Sequence, residues 1–384
     1  MAAHPPFTTQ IHRYYINVRP LTSSQRTGHV ELPLLSTLPR EIQQTIKAYL
    51  RPADRLMSLS SALLKYYFIH RTARIPWSEV NISRTPKPHR RPYWSPPNDW
   101  TGEGGLEFNV THQAGLVGLV GCRTPVVQSP EYVQPLTHND AESATGYGAV
   151  PEQVRLGVDV ACIAEPGRSP DDITTQAKLD EWLDIFGEMF SEECLDGIRK
   201  YSVTGAVSEA EIMQTRLRRF YAFWALKEAY IKMVGEGLLA DWLQKLEFEG
   251  VDVPMPSKKE DWDDDGFSWA LRSEDEVKWT PPDKAARNIR SRLYGREVED
   301  VTLELIAYEK DFLWASASRG VKDEGPAEWI KLDIEKNIRP CAEGRCRCLD
   351  KQKQNVPKTM VNPVSATMIG TEKNYHIIAA STEP

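Results

Sequence analysis

The stretch FYAFWALKEAYIKMVGEGLLA, from Phe220 to Ala240, constrains this chain more than any other. It reads as a helix that ends at Gly235, because glycine accepts the left-handed conformation that commonly closes a helix. The helix is mostly apolar, so it needs other elements to bury it. Three charges interrupt it: Lys227, Glu228 and Lys232. Glu228 and Lys232 stand four residues apart, the favourable spacing of an ordinary surface pair. The other reading is that the three charges hold something anionic.

The flanking segments alternate between strand and helix patterns. HRYYINVRPL reads as a strand running into Pro20, and LPREIQQTIKAYL and RPADRLMSLSSALLKYYFIHRTARIPW as two amphipathic helices broken near Pro52. LEFNVTHQAGLVGLVGC reads as two strands joined by a turn around His112 to Gly115. RLGVDVACIAE is a buried strand, and LDEWLDIFGEMFSEECLDGIRKY is helical. Strands resume in WLQKLEFEGVDV, DGFSWALRS and VEDVTLELIAYEKDFLWASASR. Each half thus carries an apolar strand, helix material and a strand pair, which points to an α+β class with a duplicated unit. The expected division is an N-terminal subdomain over 10–153, ending in a long polar linker, and a C-terminal subdomain over 154–320. Residues 321–384 are expected to form an extended tail, partly disordered.

Bulk properties exclude several classes. The 384 residues are 41% hydrophobic, enough for two real cores. A net charge of -7 disfavours a globally basic nucleic-acid binder, so no nucleic-acid partner is expected. No apolar run approaches the roughly 20 residues of a membrane span, and the N-terminus lacks the apolar core of a signal peptide. A cytoplasmic protein that does not engage membranes is the expectation. Cys122, Cys162 and Cys194 are scattered and suit a reducing compartment. Cys341, Cys346 and Cys348 cluster in CAEGRCRC. Three cysteines without a spaced fourth ligand fall short of a standard zinc site, which leaves a disulfide or a free cluster as the expected state.

Three short pieces carry chemistry together. Thr111, His112 and Gln113 sit at a strand end, Asp159 interrupts an apolar strand, and the helix offers Lys227, Glu228 and Lys232. A buried aspartate is costly unless it is paired or bound to a cation. Asp159 and Glu228 suit Mg²⁺, which takes carboxylate oxygens and substrate phosphates, and neighbouring lysines would neutralise those phosphates. Each piece alone has an ordinary explanation. Asp159 could meet a structural Lys or Arg, His112 could be a satisfied strand-end histidine, and the basic loop with Arg84, Lys87, Arg90 and Arg91 could be solvated surface. No Walker loop or kinase Gly-rich loop is present.

GVDV, followed some sixty residues later by FWALKEAYIK, resembles the paired signature of the surfactin-synthetase-type 4′-phosphopantetheinyl transferases. FNVTHQ and HRRPYW resemble two further motifs of that family, in the same order, and the likeness runs from about Arg13 to Arg319. The Cys-bearing end DIEKNIRPCAEGRCRCL resembles the broad-range enzymes of filamentous fungi in particular. The resemblance implies two pseudo-symmetric α/β subdomains with the active site between them. It implies a Mg²⁺-dependent transfer of phosphopantetheine from coenzyme A to a serine of acyl and peptidyl carrier domains, by a monomer. The carriers implied are polyketide synthases, non-ribosomal peptide synthetases and the reductase of lysine biosynthesis. The alternative is a degenerate scaffold that binds carriers without transferring anything.

By the same resemblance Asp159 and Glu228 are metal ligands, Glu228 also serves as the base, directly or through water, and Lys227 and Lys232 contact phosphates. His112, Arg84 and Arg91 face the nucleotide end of coenzyme A, and Thr111 supplies a hydroxyl. Family members often carry an acid two positions after the aspartate. Here Ala161 stands there, which leaves a metal position for Gln113 or water.

Overall fold

A computed structural model describes residues 7–23, 30–86, 90–127 except 101 and 103, 153–165, 173–254 except 204, 206, 207 and 239, 286–323 and 328–350. The strands are β1 (Phe7–Thr9), β2 (His12–Asn17), β3 (Ile82–Arg84), β4 (Pro92–Trp94), β5 (Gly105–Gln113), β6 (Leu116–Thr124) and β7 (Arg155–Cys162). They continue as β8 (Leu246–Glu249), β9 (Ala286–Leu293), β10 (Arg296–Glu297), β11 (Val301–Tyr308), β12 (Phe312–Arg319), β13 (Val321–Asp323) and β14 (Ile330–Lys331). The α-helices are α1 (Arg19–Ser23), α2 (Arg40–Ala48), α3 (Pro52–Ile69), α4 (Gln176–Asp184), α5 (Glu192–Arg199), α6 (Glu209–Val234) and α7 (Arg339–Ala342).

Two mixed layers result, each a sheet with one long helix on it. The first sheet has the order β14-β2-β6-β5 and carries α3. The second has the order β10-β9-β11-β12-β7, with β8 also paired to β9, and carries α6. This is the α+β pair expected from the element order. Proline at the start of α3 suits a position whose N–H has no helical partner. α6 begins at a capping box, Ser208 with Glu211, and ends at Gly235 with φ 84°. The turn between β5 and β6 is Ala114–Gly115, both at positive φ, as a two-residue hairpin requires.

β5 and β7 are the facing edges of the two sheets, and side chains join them. Leu156 N donates to Glu107 Oε1 at 3.2 Å, Val158 N to Asn109 Oδ1 at 3.2 Å, Val160 N to Thr111 Oγ1 at 3.2 Å and Cys162 N to Gln113 Oε1 at 3.1 Å. Alternate residues of each strand meet because side chains and edge amides repeat every second residue. Each rung satisfies an edge N–H that burial would otherwise orphan. The even residues of β7 also turn Leu156, Val158, Val160 and Cys162 into an apolar layer shared with Tyr15, Leu116, Val120 and Trp314.

The C-terminal boundary falls elsewhere than expected. Residues just past 320 are not a loose tail: β13 pairs with β1, β14 pairs with β2, and Ile334, Ile338 and Cys341 are buried in the core around α3. Apolar side chains at helical spacing explain this, since they remove themselves from water only by docking on the first half. The linker after 127, the acidic loop, the DGFSWALRS strand and residues beyond 350 lie outside the described residues.

Candidate active site

Asp159 lies in the middle of β7, opposite Ala315 of β12. Its side chain points away from the shared apolar layer, towards α6. Lys232 Nζ donates to Asp159 Oδ1 at 2.6 Å and to Thr111 Oγ1 at 3.3 Å. Thr111 Oγ1 donates to Asp159 Oδ1 at 3.1 Å. Three residues separated widely in sequence therefore close into one polar triangle. Gly157 makes the approach possible: a Cβ there would lie 1.9 Å from the Ala229 carbonyl oxygen. The glycine of the GVDV motif thus lets α6 lie flush on β7.

Glu228 stands one turn before Lys232 on the same face of α6. Burial and the nearby Asp159 carboxylate push its carboxyl up to about 7, against the opposing pull of Lys232. Burial also raises Asp159, opposed by Lys232, by Thr111 and by the Val160 amide. Two carboxylates thus lie within electrostatic range of one another, with one ammonium bound to Asp159. Such a donor set lacks positive charge and fits a hard divalent cation such as Mg²⁺.

Other expected site residues lie in different surroundings. Lys227 is buried, and its Nζ donates to the carbonyls of Leu243 and Leu246, each at 2.6 Å, and sits 4.8 Å from the Phe190 ring centre. Burial lowers it to about 8. It clamps the chain that follows α6. Neighbours on a helix point about 100° apart, so Lys227 cannot share the face of Glu228.

Arg91 is likewise buried. Its Nη1 donates to the Lys232 and Met233 carbonyls at 2.7 and 2.9 Å, and its Nη2 to Leu156 O at 2.9 Å and to Glu107. It caps the C-terminus of α6, where unsatisfied carbonyls favour a cation.

Arg84 is exposed, with Nη1 donating to Arg90 O at 3.1 Å. His112 is exposed at the end of β5. Gln113 forms the last rung, and its Nε2 donates to Glu165 at 2.8 Å. Ala161 is buried in the core that α6 lines, two residues along β7 from Asp159. Sequence reasoning did not single out Lys65 or Glu165. Burial and the neighbouring Arg84 lower Lys65 to about 8. Among the described residues neither Lys65 nor Arg84 has a carboxylate ion pair, so the two cations form a basic spot. Its signal in the sequence is one lysine in an otherwise apolar run of α3.

Residues 155–286, which include Asp159, Glu228 and Lys232, match the 4'-phosphopantetheinyl transferase superfamily, and residues 28–124 match the 4'-phosphopantetheinyl transferase N-terminal family. 4'-Phosphopantetheinyl transferase A of Aspergillus fumigatus is 38% identical over 367 residues, covering 88% of this chain and 96% of that protein. The chain belongs to the 4'-phosphopantetheinyl transferases. 4'-Phosphopantetheinyl transferase NpgA of Emericella nidulans is 36% identical over 371 residues, 88% of this transferase and 95% of that one. L-aminoadipate-semialdehyde dehydrogenase-phosphopantetheinyl transferase of Xenopus laevis is 26% identical over 220 residues, 56% of this chain and 55% of that protein. Membership makes the chain a transferase of the phosphopantetheinyl group of coenzyme A, and sets aside the scaffold alternative. No described helix is long and apolar enough to cross a membrane.

Proposed function

We propose that this transferase loads the serine of apo acyl and peptidyl carrier domains in a Mg²⁺-dependent reaction, with Asp159 and Glu228 holding the cation. The observation that supports this is the crowding of two carboxylates around Lys232 on the α6–β7 contact. Gln113 lies on the same face of β5 as Thr111, about 7 Å further along. Its amide oxygen accepts one hydrogen bond and keeps a second lone pair for the cation. A bound Mg²⁺ would supply charge neutralisation for the pyrophosphate of coenzyme A.

The protein's own groups do the rest. Glu228 takes the serine proton, directly or through a water. The serine Oγ forms a bond to the β-phosphorus as the bridging P–O bond breaks, and 3′,5′-ADP leaves. Lys232 offsets the charge that gathers on the leaving phosphate. Thr111 holds both Asp159 and Lys232 in place through its single hydroxyl. Arg84 and Lys65, together with His112, take the nucleotide end. None of the six cysteines is in a disulfide, which suits the reducing cytosol.

The test is mass spectrometry of an apo carrier domain incubated with the protein, coenzyme A and Mg²⁺. The carrier should gain the phosphopantetheine mass, and a chelator should prevent it. Asp159→Ala should cut the rate by at least about 100-fold while circular dichroism stays native. Full turnover in that variant, or in chelator, would remove the metal assignment.

A further inference from the structure

Four side chains that the transfer reaction does not use converge where the C-terminal segment meets the end of α3. They are His70, Cys341, Cys346 and Cys348, and one ligand atom from each lies within 4.8 Å of all the others. His70 Nε2 is 3.2 Å from Cys346 Sγ, and Cys341 Sγ is 3.7 Å from Cys348 Sγ. His70 and Cys341 are fully buried, at 1% and 2% exposure, and Cys346 and Cys348 pack against the same core. We propose that this cluster is a structural zinc site, with Zn²⁺ held by three thiolates and one imidazole.

Three observations carry the assignment. The first is shape. A tetrahedron with arms of about 2.3 Å has edges of about 3.8 Å, and the observed separations need only small adjustments to reach it. The second is the state of the histidine. His70 Nδ1 lies 2.7 Å from the Ile75 carbonyl oxygen, which can only accept, so Nδ1 carries the proton. Nε2 is then the bare nitrogen, and it is the one facing the sulfurs, with its ring fixed by a backbone partner as metal-bound histidines usually are. The third is donor chemistry. Three sulfurs and one nitrogen, with no carboxylate, select a soft or borderline metal over Mg²⁺ or Ca²⁺.

Four protein ligands leave no open position for a substrate, so the site is structural and not catalytic. Its effect is to tie residues 341–348 to the helical end at His70. That fastens the C-terminal segment, including Ile334 and Ile338, over the first half of the molecule. Three thiolates and Zn²⁺ leave one net negative charge, and Arg71 stands within electrostatic range of Cys341 and Cys348 to balance it. A Cys341–Cys348 disulfide would need the sulfurs to close from 3.7 Å to about 2.05 Å, and would leave Cys346 and His70 unused.

The experiment is elemental analysis of the full-length, tag-free protein after dialysis against EDTA. About one zinc per chain is expected, released by a mercurial thiol reagent. His70→Cys should keep the zinc by making a four-cysteine site, whereas His70→Ala and Cys348→Ser should lose it to a competing chelator at more than about 10-fold lower concentration. Zinc release should lower Tm, and added Zn²⁺ should restore it. Folded wild-type protein without stoichiometric zinc would overturn the proposal, as would iron or copper in its place. So would a Cys341–Cys348 disulfide mapped in freshly isolated protein, or zinc retained equally in all the variants.

Discussion

Lys227 and Glu228 follow one another on α6, yet a step of about 100° around the helix sends them to different surroundings. Glu228 lies within electrostatic range of Asp159 and Lys232, whereas Lys227 is sealed against two carbonyls and an aromatic ring. The two lysines of the motif should therefore fail in different ways. Lys227→Met leaves two buried carbonyls without a donor and should cost about 1–3 kcal/mol of stability, seen as a lower Tm. Lys232→Met should lower kcat by about 100-fold, and any loss of Tm should come from the Asp159 carboxylate it leaves unpaired. Full kcat in folded Lys232→Met would remove that lysine from the reaction. Glu228 also sets a pH dependence. Its folded carboxyl is raised from 4.5 to about 7, so its contribution to stability is complete below 4.5 and is lost as pH rises through about 7. In chelator, Glu228→Gln should melt higher than wild type at pH 8, and the gap should close by pH 5. A gap that widens in acid would contradict the crowding of the two carboxylates.

At the level of elements, the contact between β5 and β7 is the feature that assembles the site. Glu107, Asn109, Thr111 and Gln113 each satisfy one amide of β7, and that register sets Thr111 beside Asp159. Asn109→Leu keeps the volume but orphans the Val158 N–H. It should cost about 1–3 kcal/mol and lower transfer, although residue 109 touches no proposed substrate. Urea melts with unchanged stability would show that the rung is not needed. The hairpin β5–β6, the buried strand β7, and α3 with its break at Pro52 were all legible from apolar spacing and turn residues. The short strands β4, β13 and β14 were not, because two or three residues carry no period. The single helical stretch expected around residues 179–201 is two helices, α4 and α5, with Ser191 capping the second.

For the whole molecule, the segment after Gly320 decides how the first half is closed. Ile334, Ile338 and Cys341 are at most 5% exposed, and each apolar side chain of that kind contributes about 1.5–3 kcal/mol when buried. A chain ended at Leu332 should therefore be far less stable than full-length protein, with a clear drop in Tm or a loss of solubility. Native melting of that truncation would refute the docking. By itself the sequence determined the family and the α+β class and singled out Asp159, Glu228 and Lys232 as candidates, because those signals are short and local: a motif, a period of two or of 3.6, a charge where none is cheap. Tertiary structure alone shows where the neighbouring cations donate: Arg91 and Lys227 both reach backbone carbonyls. It also supplied the fourth member of the cysteine cluster, since His70 lies 276 residues before Cys346 and no local pattern links them. Contacts of that kind are made by packing, and packing is not written in any one window of the chain.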